Sequence, residues 1–184
     1  MSLGDDGPER SPTAALRALA HPVRLRILSL LTSAAMTAAE VARELELTHA
    51  NASYHLRHLL AAGMIEVAGE ERIRGGVAKR YRYDIDRHQS RRADAPWATE
   101  PGGQRLVYAA LAAELRRRSD LLQPSRRGQL TDAELWIDPD VYTALRDRLS
   151  GLARDLHRAA RPVRAEGAIR VSATIALFEM ADRE

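Results

Sequence analysis

The 184 residues are 45 % hydrophobic and 29 % charged, with a formal charge of +3 from 28 Lys plus Arg against 25 Asp plus Glu. That is apolar material for one sizeable core or two small ones, and it argues against a chain disordered throughout. No run reaches the roughly 20 apolar residues of a membrane span, and Met1 to Asp6 has neither a basic nor an apolar leader, so a cytoplasmic protein with no membrane partner is expected. Cys is absent, which removes disulfides, thiolate nucleophiles and Cys-based zinc or redox sites.

In chain order, residues 1–10 lack periodicity, and Ser11-Pro12 then opens a short helix through Ala20, Ser as N-cap and Pro at the first turn. Pro22 starts a second helix, in which Val23, Ile27, Leu28, Leu30 and Leu31 form the apolar stripe and Arg24 and Arg26 face away. Thr37-Ala38-Ala39-Glu40 matches a capping box, where Thr and Glu reciprocally satisfy N–H groups at a helix start. This third helix runs to about Leu45, with Val41, Ala42 and Leu45 inward. After a tight Glu46-Leu47 turn, Thr48 caps a fourth helix from His49 to about Ala62, closed by Gly63. Two short helices so joined have helix-turn-helix spacing. Met64 to Ala68 reads as a strand, and Val77 to Ile85 alternates as its hairpin partner across Gly75-Gly76.

Residues 88–103 are rich in Arg, Asp, Pro and Gly and read as a linker. Beyond it the pattern predicts a helix striped by Leu106, Val107, Ala110, Leu111 and Leu115. A strand over 133–137 follows, then a long helix after Asp138-Pro139 with Val141, Leu145, Leu149, Leu152 and Leu156 on one side, and a last strand through Ile169, Val171, Ala173, Ile175 and Leu177. Trp97, Tyr108, Trp136 and Tyr142 are expected in the core. The fold class is mainly α with a small β component (α+β). It comprises a winged helix-turn-helix domain over 11–87 and a small helix-strand-helix-strand unit over 104–184, which serves dimerisation and is a possible effector domain. The apolar stripes of that unit fit an internal core or a dimer seam.

The functional constellation centres on the fourth helix. Ala52, Leu56, Leu59 and Leu60 fall on one side, leaving Ala50, Asn51, Tyr54, Arg57 and His58 outward, flanked by Ser53 and His55, with no acid on that face. Asn bonds adenine bidentately, Arg bonds guanine or phosphate, and Ser, Tyr and His donate to phosphate oxygens. Each feature alone fits a solvated helix face. Capping box, short turn, acid-free helix and basic hairpin together, within about forty residues, point to a helix lying in a DNA groove. Arg72, Arg74, Lys79, Arg80 and Arg82 fall between 72 and 83 without an acid. They fit a wing on phosphate or in the minor groove better than a hairpin merely protected from aggregation. Lys79 is the only Lys beside 27 Arg, a bias that lowers the weight of any single Arg.

Leu19-Ala20-His21-Pro22-Val23-Arg24-Leu25-Arg26-Ile27-Leu28, Thr37 to Leu45, Ser53 to Leu59 and Ala62-Gly63-Met64-Ile65 resemble the ArsR-type winged-helix repressors over residues 13–85. The resemblance implies a homodimer that represses from a palindromic operator on double-stranded DNA and releases it when an effector binds. By that likeness Thr48, His49, Asn51, Ser53, Tyr54, His55 and Arg57 read DNA, with Arg74, Lys79 and Arg80 in the wing. The metal-sensing members' Cys motif has no counterpart in Val41 to Leu47, nor their C-terminal Asp and His site between Arg105 and Leu122. No metal or other cofactor is expected, and the effector stays unidentified. No phosphate-cradling Gly loop, Gly-x-Ser-x-Gly or His-Glu-x-x-His occurs, so catalytic residues are not expected. The alternatives are a winged helix used for protein contacts and a regulator fused to a small-ligand-binding domain.

Overall fold

The computed structural model describes residues 12–86, 101–123 and 128–181. Its elements are α1 (Pro12–Leu19), α2 (Pro22–Ser33), β1 (Met36–Thr37), α3 (Ala38–Leu45), α4 (His49–Ala61), β2 (Glu66–Ile73), β3 (Gly76–Arg82), α5 (Pro101–Ser119) and α6 (Pro139–Arg158). The antiparallel sheet has the order β1-β3-β2. Met36 pairs with Tyr81 and Thr37 with Arg80, so a two-residue strand absent from the sequence reading fastens the hairpin beside α3.

The core gathers Ile27, Leu28 and Leu31 of α2, Val41, Ala42 and Leu45 of α3, and Ala52, Leu56 and Leu59 of α4, closed by Met36, Met64 and Ile65. These positions recur every three or four residues, so each short helix buries one stripe and gains from packing the stability it lacks alone. The helix junctions repeat one motif. Leu47 N–H donates to Ala42 O at 2.9 Å and Glu46 N–H to Arg43 O at 3.4 Å, while Met64 N–H donates to Leu59 O and Gly63 N–H to Leu60 O, both at 2.9 Å. Both are Schellman closures. Gly63 takes the required left-handed backbone freely at φ 68°, whereas Glu46 holds it as a side-chain-bearing residue at φ 56°.

Two N-terminal details depart from the expectation. His21 is itself the cap of α2, its Nδ1 accepting from Val23 N–H at 3.2 Å. Arg24 does not face away, because its Nε donates to Ala18 O at 2.6 Å and its Nη2 to Arg17 O. The guanidinium thereby supplies partners to carbonyls at the end of α1 that no helical N–H reaches.

The C-terminal half departs further. α5 begins at Pro101, inside the span read as linker, and packs on α1 and α2; the rest of that span, 88–100, lies outside the described residues. Its buried positions are Ala110 and Glu114, while Leu106 and Leu115 of the expected stripe are exposed. Small residues let the helices approach closely: a Cβ on Gly103 would stand 2.5 Å from Leu16 Cδ1. Glu114 is made tolerable there by Arg117 at 2.8 Å and Arg118 at 3.5 Å. Neither expected C-terminal strand forms. Residues 128–138 and 168–181 are neither helix nor strand, because a strand exists only where another segment supplies hydrogen bonds. Trp136 is 91 % exposed and Tyr108 is exposed rather than in the core, and Trp97 lies outside the described residues.

Candidate nucleic-acid interface

The interface begins at the start of α3. Thr37 N–H donates to Glu40 Oε2 at 2.7 Å, and Glu40 N–H donates to Thr37 Oγ1 at 3.3 Å, completing the capping box. The Thr37 N–H is the main reason the Glu40 carboxyl is held below its ordinary range, with the Thr37 hydroxyl and the Arg80 and Arg43 charges acting the same way against burial. α3 thus enters the turn at a fixed angle, and Thr48 restarts the chain by accepting from Asn51 N–H at 3.2 Å.

From this cap α4 presents His49, Ala50, Asn51, Tyr54, Arg57 and His58 as exposed residues, with Ser53 half-buried between them. Tyr54 is 48 % exposed, and its ring lies edge-on to His58 at 4.4 Å between centroids. Arg57 Nε donates to Ser53 O at 3.4 Å, which lays the guanidinium along the helix. The acid-free face therefore exists as a surface, with three ring side chains, an amide and a cation between His49 and His58.

His55 does not belong to that surface, which corrects its place among the DNA-reading residues. It is 5 % exposed, because position 55 follows Ala52 by three and falls on the core side of α4. Its ring lies 4.8 Å from that of His21, and its Nδ1 has no hydrogen-bond partner. Burial first, then the charges of His21, Arg24 and His58, lower its pKa to about 4, so it is neutral at ordinary pH. His21 is lowered too, by burial and then by Arg24.

The wing also differs in its charges. The register sets Glu70 opposite Lys79 and Glu66 opposite Arg82, so acids of β2 stand beside two of the five cations that the sequence lists without an intervening acid. Arg80 turns inward. It pairs with Glu71 at 2.5 Å and Glu40 at 3.5 Å and donates to Ala35 O at 2.5 Å. Its guanidinium is committed to joining the wing to the capping box, a correction to its reading as a wing contact. Arg72, Arg74 and Lys79 remain exposed. The link from Arg80 to Glu40 was not legible from residue order, because it spans forty positions.

Among the described residues, no group of three or more His, Asp or Glu side chains is placed to hold a metal ion, and no helix is long and apolar enough to cross a membrane.

Residues 19–68 match the family model of a helix-turn-helix domain, a span that runs from the end of α1 through α4 into β2. The chain thus carries a helix-turn-helix domain, and its three-stranded sheet gives that domain a wing. Among curated proteins, none matches the chain.

Proposed function

We propose that this protein is a sequence-specific regulator of transcription that binds double-stranded DNA as a homodimer at a palindromic operator, represses from it, and acts by binding rather than catalysis. The observation that carries the reading is the exposed, acid-free face of α4 on a helix held at both ends, beside a hairpin tip bearing Arg72, Arg74 and Lys79. In the ArsR-type arrangement that the sequence resembles, α4 enters the major groove. Asn51 and Arg57 read base edges, Thr48, His49, Ser53 and Tyr54 hold phosphates, and Arg74 and Lys79 bind the adjacent backbone. Arg80 and His55 position these groups from behind.

Titration of a selected duplex against the purified chain tests this reading. Affinity is expected to fall steeply with salt, with Lys79→Ala reducing the slope of log affinity against log salt by about one. Arg57→Ala weakens binding, and Asn51→Ala costs about 1–3 kcal/mol of discrimination at one position of each half-site. Unchanged base preference in Asn51→Ala removes that residue from readout, and salt-independent binding removes the phosphate contacts.

A further inference from the structure

Residues 128–138 and 168–181 share an unusual combination of features. Among the described residues, the backbone hydrogen bonds of these segments are confined to their ends, where Tyr142 N–H donates to Asp138 O at the start of α6 and Ala168 N–H donates to Ala165 O. Both are exposed along their whole length, Leu130 being 90 % exposed, together with Leu135, Trp136, Val171, Ile175 and Phe178. Their sequences alternate as strands do, with Ala133, Leu135 and Ile137 on one side of the first, and Ile169, Val171, Ala173, Ile175 and Leu177 on one side of the second. Beside them α6 carries Val141, Leu145, Leu152 and Leu156, all exposed. Long β-prone segments with free backbone edges are an association hazard unless a partner occupies them.

Charge restricts the pairing. Residues 128–138 contain Asp132, Glu134 and Asp138 and no cation, whereas 168–181 carries Arg170 near its start and Glu179 near its end. One chain displays both members of a complementary pair and joins neither to the other. A second copy supplies the missing member twice over, by an isologous exchange that closes on itself and pairs one edge of each segment. Antiparallel pairing with the apolar faces inward places Glu134 and Asp132 on the same outer face as Arg170 and covers the α6 stripe of each copy.

We infer that two copies of this chain associate by strand exchange, residues 128–138 of one pairing edge to edge with 168–181 of the other over the exposed faces of the α6 helices. The inference rests on the regulator reading only for the expectation of a two-fold assembly.

The full-length chain without DNA tests it. Sedimentation at micromolar concentration is expected to give a dimer, and Val171→Pro, which removes a ladder donor, to weaken it about 100-fold. Glu134→Arg and Arg170→Glu each weaken the dimer, and the doubly reversed chain recovers it. Because the protein has no Cys, L135C and I169C chains of different length, whose cysteines face each other in the register that sets Glu134 opposite Arg170, can be mixed and joined with a short bis-maleimide, and the expected product is the mixed pair. If Val171→Pro fails to fold, as judged by helical circular dichroism, the charge reversals and the cross-link decide. A monomer, a dimer indifferent to the charge reversals, or failure of the mixed single-cysteine chains to yield the mixed cross-linked pair overturns the inference. A monomer that still selects a duplex sequence leaves the α4 reading standing, whereas a strand-exchanged dimer indifferent to duplex sequence removes that reading alone.

Discussion

The helix-turn-helix unit and the segment from 128 onward are patterned by the same rule and meet opposite fates. In α2, α3 and α4 the apolar stripes find each other within the chain, so Leu31, Val41, Leu56 and Leu59 are fully buried. In α6 and its flanks stripes of similar composition find little among the described residues: the His157 ring meets Tyr83 and Phe178 meets Tyr108, but Leu135, Trp136, Leu152 and Ile175 stay exposed. Amphipathic periodicity therefore specifies that a face is to be covered, but not by which molecule. On the proposed reading the contrast also separates duties, DNA recognition falling to the self-contained unit and association to the region left uncovered.

The contrast can be broken first by truncation. Leu56→Ala is expected to cost about 2–5 kcal/mol of unfolding free energy, because it empties a closed core. Leu152→Ala, at a site 51 % exposed, costs less than about 0.5 kcal/mol in dilute protein. Denaturant titrations of the two variants measure the difference, and equal losses would mean that the C-terminal stripe is buried within one chain.

A pH series sharpens the same point from inside the reading head. Both His21 and His55 have lowered folded-state pKa values, His55 falling from 6.5 to about 4. Above pH 6.5 neither state binds the proton and nothing is lost. As pH falls toward 4 the unfolded chain takes up protons that the folded chain refuses, and stability should drop by on the order of 3 kcal/mol. Thermal melts between pH 7 and 4 check this, and His55→Phe should flatten the profile; an unaltered profile would mean that His55 is solvated.

Smaller effects follow at the joints. Arg80→Ala should destabilise by about 1–2 kcal/mol, because Glu40 and Glu71 lose their shared cation and the Ala35 carbonyl its donor. Loss of the wing's amide protection in hydrogen exchange should accompany it. Glu46→Gly should stabilise by about 0.5–1 kcal/mol, since the left-handed turn costs glycine little, and its melting temperature should rise.

Much of the reading head was legible because its signals are local. The Thr37 and Glu40 capping box, the Thr48 cap and the Gly63 closure each lie within one helical turn of what they control. His55 was misplaced because residue type outweighed spacing: a polar ring suggested a surface, although 52, 55, 56 and 59 form one stripe. Arg24 and Arg80 were illegible as structural residues, since their acceptors lie across an interhelical angle and a sheet register. The alternation at 133–137 and 169–177 was read as paired strands, and what sequence alone does not contain is whether the partner edge belongs to the same chain.

The most direct test of the central claim is selection from a pool of random duplexes by the full-length protein at moderate salt. Enrichment of an inverted repeat whose half-sites change when Asn51 or Arg57 is replaced is the expected result. Recovery of an unenriched pool by folded protein would contradict the assignment of α4 as a reader of DNA.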